Sequence, residues 1–136
     1  MYTNSDCTVY NRRLNHTTRQ DVWDHTQIRG VFWDGNHEHK KADKGSVDAC
    51  SVHVLIPANA QTGKTYKSPK AYASSPSGAY TLSPGDIIVK GLVNHNISAN
   101  YTIANLLRDC DDAYTIAFVE DNRYGSLDMQ HFAIKG

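Results

Sequence analysis

The sequence predicts a mainly β protein: a small antiparallel β-barrel or sandwich with long loops and one short helix. Three observations lead to this fold class. Apolar and polar residues alternate with a period of two in several short stretches, a pattern typical of strands with one buried face. Turn-forming Gly, Pro, Asn and Asp residues separate these stretches. The length of 136 residues suits one domain, so we expect residues 1–136 to fold as a single unit.

The first half of the chain carries two predicted strands. Residues 21–32 are polar at first and become apolar toward their end, before a turn signature at residues 34–36. Residues 47–56 form the second strand, which Pro57 ends because proline cannot donate to a ladder. The residues expected on one face of that second strand are Val52, Val54 and Ile56.

Residues 58–81 form the longest predicted loop. The segment contains no Leu, Ile, Val, Phe, Asp or Glu, and so long a loop in a compact domain is usually functional or disordered. Its lysines and tyrosines suit a protein interface or contact with nucleic acid, and a mobile solvated loop is the third interpretation. The candidate contact residues are Lys64, Tyr66, Lys67, Lys70, Tyr72 and Tyr80.

The second half begins with a strand at residues 86–93, whose apolar residues alternate between two faces. A hairpin closes the chain, with strands at residues 114–120 and 129–135 and a turn at residues 122–125. The residues expected to share one face of the first hairpin strand are Tyr114, Ile116 and Phe118.

One short helix is predicted between residues 98 and 109. Ser98 is suited to cap its start, since serine is favoured at the N-cap. Three acidic residues follow within positions 109–112, where the helix dipole disfavours negative charge, so we expect the helix to be short. The apolar residues at helical spacing are Ile103, Leu106 and Leu107.

The polar stretch after the first strand offers a candidate metal site. His37 and His39, with His53 as a third imidazole, have the ligand chemistry of a zinc, nickel or copper centre. The neighbouring Lys40 and Lys41 would oppose a cation. A solvated loop is therefore the favoured interpretation, with His37, His39, Lys40 and Lys41 as further contact residues, and a metal-dependent enzyme is kept as an alternative.

Two other features fall short of catalytic or ligand-binding motifs. Thr62-Gly63-Lys64-Thr65 resembles the end of a phosphate-binding loop, but the glycine required five residues before Gly63 is replaced by Ala58. No Gly-x-Ser-x-Gly nucleophile elbow occurs, and the three cysteines form no Cys-x-x-Cys pair. The sequence therefore predicts a protein that is not an enzyme and needs no cofactor.

Charge and hydropathy exclude two broad classes. Fourteen Lys and Arg residues balance fourteen Asp and Glu residues, whereas a protein that coats DNA carries a basic surplus. Uninterrupted apolar runs such as Val54-Leu55-Ile56 are far short of the roughly 20 residues of a membrane span. We therefore expect no membrane association, and nucleic acid at most as a non-specific contact.

Five segments together resemble a known family. They cover residues 8–12, 28–33, 51–57, 82–91 (with the pair Gly85-Asp86) and 114–126. Their content and order are similar to those of small proteins encoded among the head and connector genes of tailed phages and prophages of Gram-positive bacteria. More loosely, the chain resembles head-closure (stopper) and head–tail joining proteins. The first resemblance extends over nearly the whole chain.

The resemblance implies a structural virion protein for head completion at the head–tail junction, made in the host cytoplasm. It implies a ring of roughly six or twelve copies between portal or adaptor proteins and tail-terminator or tail-tube proteins, with non-specific contact to packaged DNA. A loop at residues 35–46 or 58–81 would be the gate or contact arm. Deleting residues 60–79 is then expected to leave the protein folded and to stop assembly. A minor capsid or tail-terminator protein is the alternative virion role.

Overall fold

A computed structural model describes most of the chain. The described residues are 3–15, 17–36, 41–42, 45–46, 51–98, 100–110 and 112–136. Within these residues the protein is mainly β, with eleven strands and few helical residues. This confirms the predicted fold class. The strands are β1 (Ser5–Asn15), β2 (Gln20–Asn36), β3 (Lys41–Ala42), β4 (Gly45–Ser46), β5 (Ser51–Pro57), β6 (Thr65–Tyr66), β7 (Ala79–Tyr80), β8 (Ile87–Lys90), β9 (Ala113–Thr115), β10 (Phe118–Asn122) and β11 (His131–Lys135). The helices are α1 (Pro69–Ser74), α2 (Ile103–Asp109) and the 3₁₀ turn η1 (Leu127–Met129).

Within the described residues, one antiparallel sheet has the strand order β10-β11-β5-β2-β1-β8-β9. The long strand β2 belongs to both halves of this sheet, because it pairs with β1 up to Val31 and with β5 from Phe32 onward. The edge strands β9 and β10 follow each other in the chain but do not pair, so the described sheet is not a closed barrel. Strands β3–β4 and β6–β7 form two small separate pairs.

The core confirms the alternation predicted for β5 and β8. Val52, Val54 and Ile56 are buried, as the period of two requires. On β8, Ile88 joins the main core, whereas Ile87 packs on the opposite face with Tyr10, Leu106 and other apolar residues. The main core takes side chains from both halves of the sheet, namely Cys7, Val9, Ile28, Val31, Trp33, Val52, Val54, Ile56, Tyr80, Leu82, Ile88, Ile116, Phe132 and Ile134.

Strand β1 has no counterpart among the elements predicted from periodicity. Its central residues, from Cys7 to Asn11, are all buried, so both of its faces are covered. The polar Thr8 is one of them, and its hydroxyl donates to the Gly91 carbonyl at 2.8 Å and accepts from the Val93 amide at 2.9 Å. Because polar residues are buried here through long-range hydrogen bonds, the sequence of β1 lacks the alternation of polar and apolar residues that predicts a strand.

Residues 58–81 are not the plain loop that the sequence predicts. The segment contains β6, α1 and β7, and Tyr72, Ala79 and Tyr80 are buried. The segment looks polar in sequence, but it contributes two tyrosine rings and an alanine to the buried apolar surface. The expectation that deleting residues 60–79 leaves the fold intact is contradicted, because the deletion would remove buried side chains of the core.

The predicted helix is confirmed as short, but its start differs. Helix α2 has seven residues, and its N-cap is Thr102, whose side chain accepts a hydrogen bond from the Asn105 amide, rather than Ser98. Leu106 is buried, whereas Leu107 remains exposed. A second helix, α1, was not predicted, because its six residues are too few to show a helical period.

The closing hairpin of β10 and β11 is confirmed, but the side-chain alternation predicted for its first strand is wrong. Ile116 is buried and Phe118 is exposed, while Val119 packs against the core. The chain changes partner here: the Ile116 amide donates to the Asp86 carbonyl, and the next amide, of Ala117, donates to the Lys135 carbonyl. Because the hydrogen-bonding partner changes from β8 to β11, the core-facing residues shift from the even positions to the odd ones, and Val119 rather than Phe118 follows Ile116 in the core.

Candidate interaction surfaces

A buried polar network fixes the exit of the 58–81 segment against β1. The Asn11 side chain donates to the Thr81 carbonyl at 2.6 Å and to the Asp86 carboxylate at 2.9 Å, and it accepts from the Thr81 amide at 3.2 Å. The Arg12 amide donates to the other Asp86 oxygen at 3.1 Å. Gly85 precedes the carboxylate with a φ of 93°, a conformation that glycine adopts without strain. The Gly85-Asp86 pair thus has a structural role.

Burial raises the pKa of Asp86, and the hydrogen bond from Asn11 opposes that rise. The carboxylate is 3% exposed, and Asn11 is fully buried. A buried acid of this kind is a candidate catalytic group only if substrate has access to it. Asp86 lines a recess beside α1, but both of its oxygens accept bonds from β1, so the network serves to hold β1, Thr81 and the start of β8 together.

Helix α1 is fastened to the β1–β2 hairpin through Tyr72. The Tyr72 hydroxyl donates to an Asp24 oxygen at 2.8 Å, and the Arg13 Nε donates to the same oxygen at 2.6 Å. Burial, with Asp24 beside it, raises the pKa of Tyr72. Tyr72 is therefore an anchor of the helix and offers almost no surface to a partner.

Two more of the predicted contact residues bind within the chain. The Lys64 ammonium donates to the His25 carbonyl at 2.9 Å and to the Thr26 hydroxyl at 3.0 Å, so it ties the segment to β2. Tyr66 packs on Phe132 with ring centroids 4.4 Å apart, and the Arg123 guanidinium lies 5.1 Å above both rings. These contacts join the segment to the closing hairpin.

Tyr80 is also a core residue, since it is 3% exposed and burial raises its pKa to about 12. Lys67 and Lys70 keep surface. The Lys67 ammonium donates to the Ser75 carbonyl at 3.1 Å, and Lys70 is exposed on α1. Of the predicted set in residues 58–81, Lys70 is thus the residue that the fold presents most openly.

The candidate metal set falls largely outside the residues that the structure describes. His37 and His39, with Lys40, lie outside the described residues, and Lys41 begins β3. His53 is exposed on β5. Among the described residues, no three His, Cys, Asp or Glu side chains group closely enough to hold a metal ion.

The α1 recess is the first of two surfaces open to a partner. It has a volume of about 280 Å³ and lies between α1 and the end of β1. Its lining is apolar at Leu14, which is 52% exposed, Pro69 and Ala73. The remaining lining side chains are polar or charged, namely Arg12, Arg13, Tyr72, Thr81, Ser83 and Asp86. Lys70 precedes Ala73 by three residues, so the two lie on the same side of the helix. The recess therefore combines a partly apolar lining with cationic side chains in and beside it.

The hairpin patch is the second surface and lies on the closing hairpin. Phe118 is 66% exposed on edge strand β10, and Glu120 lies two residues further on the same strand, also exposed. The patch is completed by the exposed side chains Tyr124, Leu127 and Met129. Exposed large apolar side chains such as these, spread along the closing hairpin, are typical of sites of protein interaction. Because β10 is an edge strand, one side of its backbone has no neighbouring strand in the described sheet, and its N–H and C=O groups there are open to a partner.

Comparison with known proteins gives the family. A family described as "Family of unknown function (DUF6751)" matches residues 2–136. The chain belongs to the DUF6751 family. No curated protein and no solved structure matches it. Within the part of this DUF6751 protein that the structure describes, no helix is long and apolar enough to cross a membrane.

Sequence reasoning missed both surfaces of this DUF6751 protein. Leu14 lies near the end of a strand that periodicity did not predict, and Phe118 was expected to share a face with a core residue. The hairpin patch did leave a signal in the sequence, because Tyr124, Leu127 and Met129 occur in and just after a turn. Turns favour Gly, Pro, Asn, Asp and Ser, so large apolar residues at such positions indicate a further role.

Proposed function

We propose that this protein is a structural virion protein of a tailed phage that works at the head–tail junction by assembling into a ring. The observation that carries the proposal is the hairpin patch, where Phe118, Tyr124, Leu127 and Met129 are each more than 60% exposed. A lone molecule leaves this apolar surface in water, whereas a neighbour in an assembly would cover it.

The polar motifs of the chain are consistent with an assembly role. Lys64 and Asp86, which stand in the two motif-like segments, are engaged in bonds that stabilise the fold. The formal net charge of zero means that identical copies do not repel one another as a whole. The ring would sit between portal or adaptor proteins and the tail-terminator or tail-tube proteins, as the resemblance to connector proteins implies.

Labelling of purified particles tests the proposal. A tag should be placed at the N-terminus, because Gly136 exchanges two backbone hydrogen bonds with Val52 and a C-terminal extension would disturb β5. We expect a gold-labelled antibody to bind at the junction between head and tail. Label confined to the cell extract and absent from purified particles would contradict the proposal, and label along the tail would favour a different virion role.

A further inference from the structure

We propose that the hairpin patch of one copy docks into the α1 recess of the next copy, with the Phe118 ring in the recess and Glu120 opposite Lys70. The ring in which this contact repeats rests on the proposed function. The shape and charge of the two surfaces support the contact itself.

Phe118 and Glu120 make a matched pair on β10. They lie two residues apart on one strand, so their side chains leave the same face at a separation of about 7 Å. Both are exposed, and the neighbouring Asp121 already has an ion-pair partner in Arg123 at 2.8 Å. A surface that receives this pair needs an apolar hole for the ring and a cation beside it.

The α1 recess offers both features. Its volume of about 280 Å³ exceeds the roughly 150 Å³ of a cavity known to take up a benzene molecule. Leu14, Pro69 and Ala73 form the apolar part of its lining, which also includes the cationic Arg12 and Arg13 and the buried Asp86. Lys70 lies on the same side of the helix as Ala73. The ion pairs formed among the described residues use other side chains, so neither Lys70 nor Glu120 is engaged in one of them.

The two surfaces lie on different parts of the molecule, so the contact joins two copies of the chain. Helix α1 is tied to the β1–β2 hairpin through Tyr72 and Asp24, whereas β10 is an edge strand separated from β2 by β11 and β5. Phe118 is 66% exposed, so it does not fill the recess of its own chain. Contact between two different surfaces of identical copies is head-to-tail, and such contacts generate rings when the rotation closes.

Charge also favours contact between copies. Residues 58–81 contain lysines and no acidic residue, whereas Glu120 of β10 is exposed and is in none of the ion pairs among the described residues. The molecule as a whole has a formal net charge of zero. Complementary patches on a neutral molecule attract identical copies in one orientation and disfavour the others.

A charge-exchange experiment tests the contact in purified protein. Glu120→Lys and Lys70→Glu each place like charges across the proposed interface, and we expect each variant alone to weaken self-association about tenfold or more. When the two variants are mixed, alternating copies restore an opposite-charge pair at every contact, so the mixture should associate like the wild type. Sedimentation equilibrium measures the mass in each sample, and thermal unfolding checks that these exposed substitutions leave the fold intact.

The apolar part has its own matched pair of variants. Phe118→Ser should abolish association, whereas Leu107→Ser, which replaces an exposed leucine on α2, should leave it unchanged. A wild type that stays monomeric at every concentration, or a mixture of the charge variants that does not recover, would overturn the inference. Failure of the proposed function is distinguishable, because it is decided by where the protein lies in the particle and not by association in solution.

Discussion

Asn11 connects three parts of the chain from a fully buried position. Its amide bonds both backbone groups of Thr81 and also donates to Asp86. Asn11→Ala would leave the Thr81 amide and carbonyl buried without these partners. We expect a loss of about 3 kcal/mol in the free energy of unfolding, measured by urea denaturation. Asn59→Ala, at an exposed asparagine, is the control and should change stability little; equal effects of the two variants would contradict the assigned role.

Asp86 gives the protein a defined pH dependence. Burial raises its pKa above the ordinary value of 3.8, so the folded state holds this proton more tightly than the unfolded state does. The contribution of Asp86 to stability is therefore present below pH 3.8 and is lost as pH rises through the raised pKa. We expect wild type to lose stability relative to Asp86→Asn over that interval, measured by urea denaturation at a series of pH values.

The comparison isolates this one carboxyl group. The pKa values of Asp109 and Asp121 are lowered, mainly by hydrogen bonds from Arg108 and Arg123, and these groups affect wild type and variant alike. A constant difference in unfolding free energy across the acid range would mean that Asp86 does not titrate with a raised pKa.

Residue-level burial was predictable where a strand buries one face. Val52, Val54 and Ile56 follow the period of two and are in the core. Thr8 and Asn11 could not be predicted as buried, because polar residues are normally placed toward solvent. Their partners lie more than 65 residues away in sequence, so only the folded chain brings together the groups that make their burial stable.

At the scale of elements, α1 depends on its tertiary anchor. A helix of six residues is too short to be stable alone, and its single buried side chain is Tyr72. The Tyr72 hydroxyl bonds the Asp24 carboxylate, which also receives Arg13. The helix is therefore positioned by the β1–β2 hairpin rather than by its own sequence.

Tyr72→Phe tests this anchor while it keeps the buried ring. We expect a loss of about 2 kcal/mol in the free energy of unfolding, since the bond removed is to a charged group. Hydrogen exchange should become faster at the Tyr72 and Ser75 amides, which bond within this helical turn. Tyr124→Phe, at a tyrosine that is 70% exposed, serves as the control. Unchanged exchange in α1 would show that the Asp24 bond does not hold the helix.

The β9–β10 junction explains why one predicted face was inverted. A single apolar alternation runs through residues 114–119, but the chain leaves the β8 side at Ile116 and joins β11 at Ala117. Nothing in the alternation of residues 114–119 indicates this change of partner strand. The result places Phe118 at the surface, so the error in predicting its face is also the reason that the hairpin patch was missed.

At the scale of the whole molecule, the segment at residues 58–81 and the closing hairpin act together. Tyr66 packs on Phe132 beneath Arg123, so the segment is part of the folded body rather than a free arm. The outward side of α1 and the hairpin patch are both exposed to neighbours. A rigid body with two different contact surfaces suits an assembly built from many identical copies.

Prediction at this scale was limited by long-range contacts. The mainly β class followed from local periodicity. Lys70, which the sequence predicted as a contact residue, is exposed on α1, and its role as a contact stays a prediction. The sheet order, which leaves β9 and β10 as unpaired edges, depends on contacts between distant parts of the chain. The α1 recess depends on the same contacts, because it forms only where α1 meets the end of β1.

Electron microscopy of a lysate in which this gene carries an early stop codon tests the central claim most directly. A protein that completes the head–tail junction is dispensable for building heads and tails separately. We therefore expect filled or leaky heads lying apart from finished tails. Intact particles, or normal heads with no tails at all, would contradict a role at the junction.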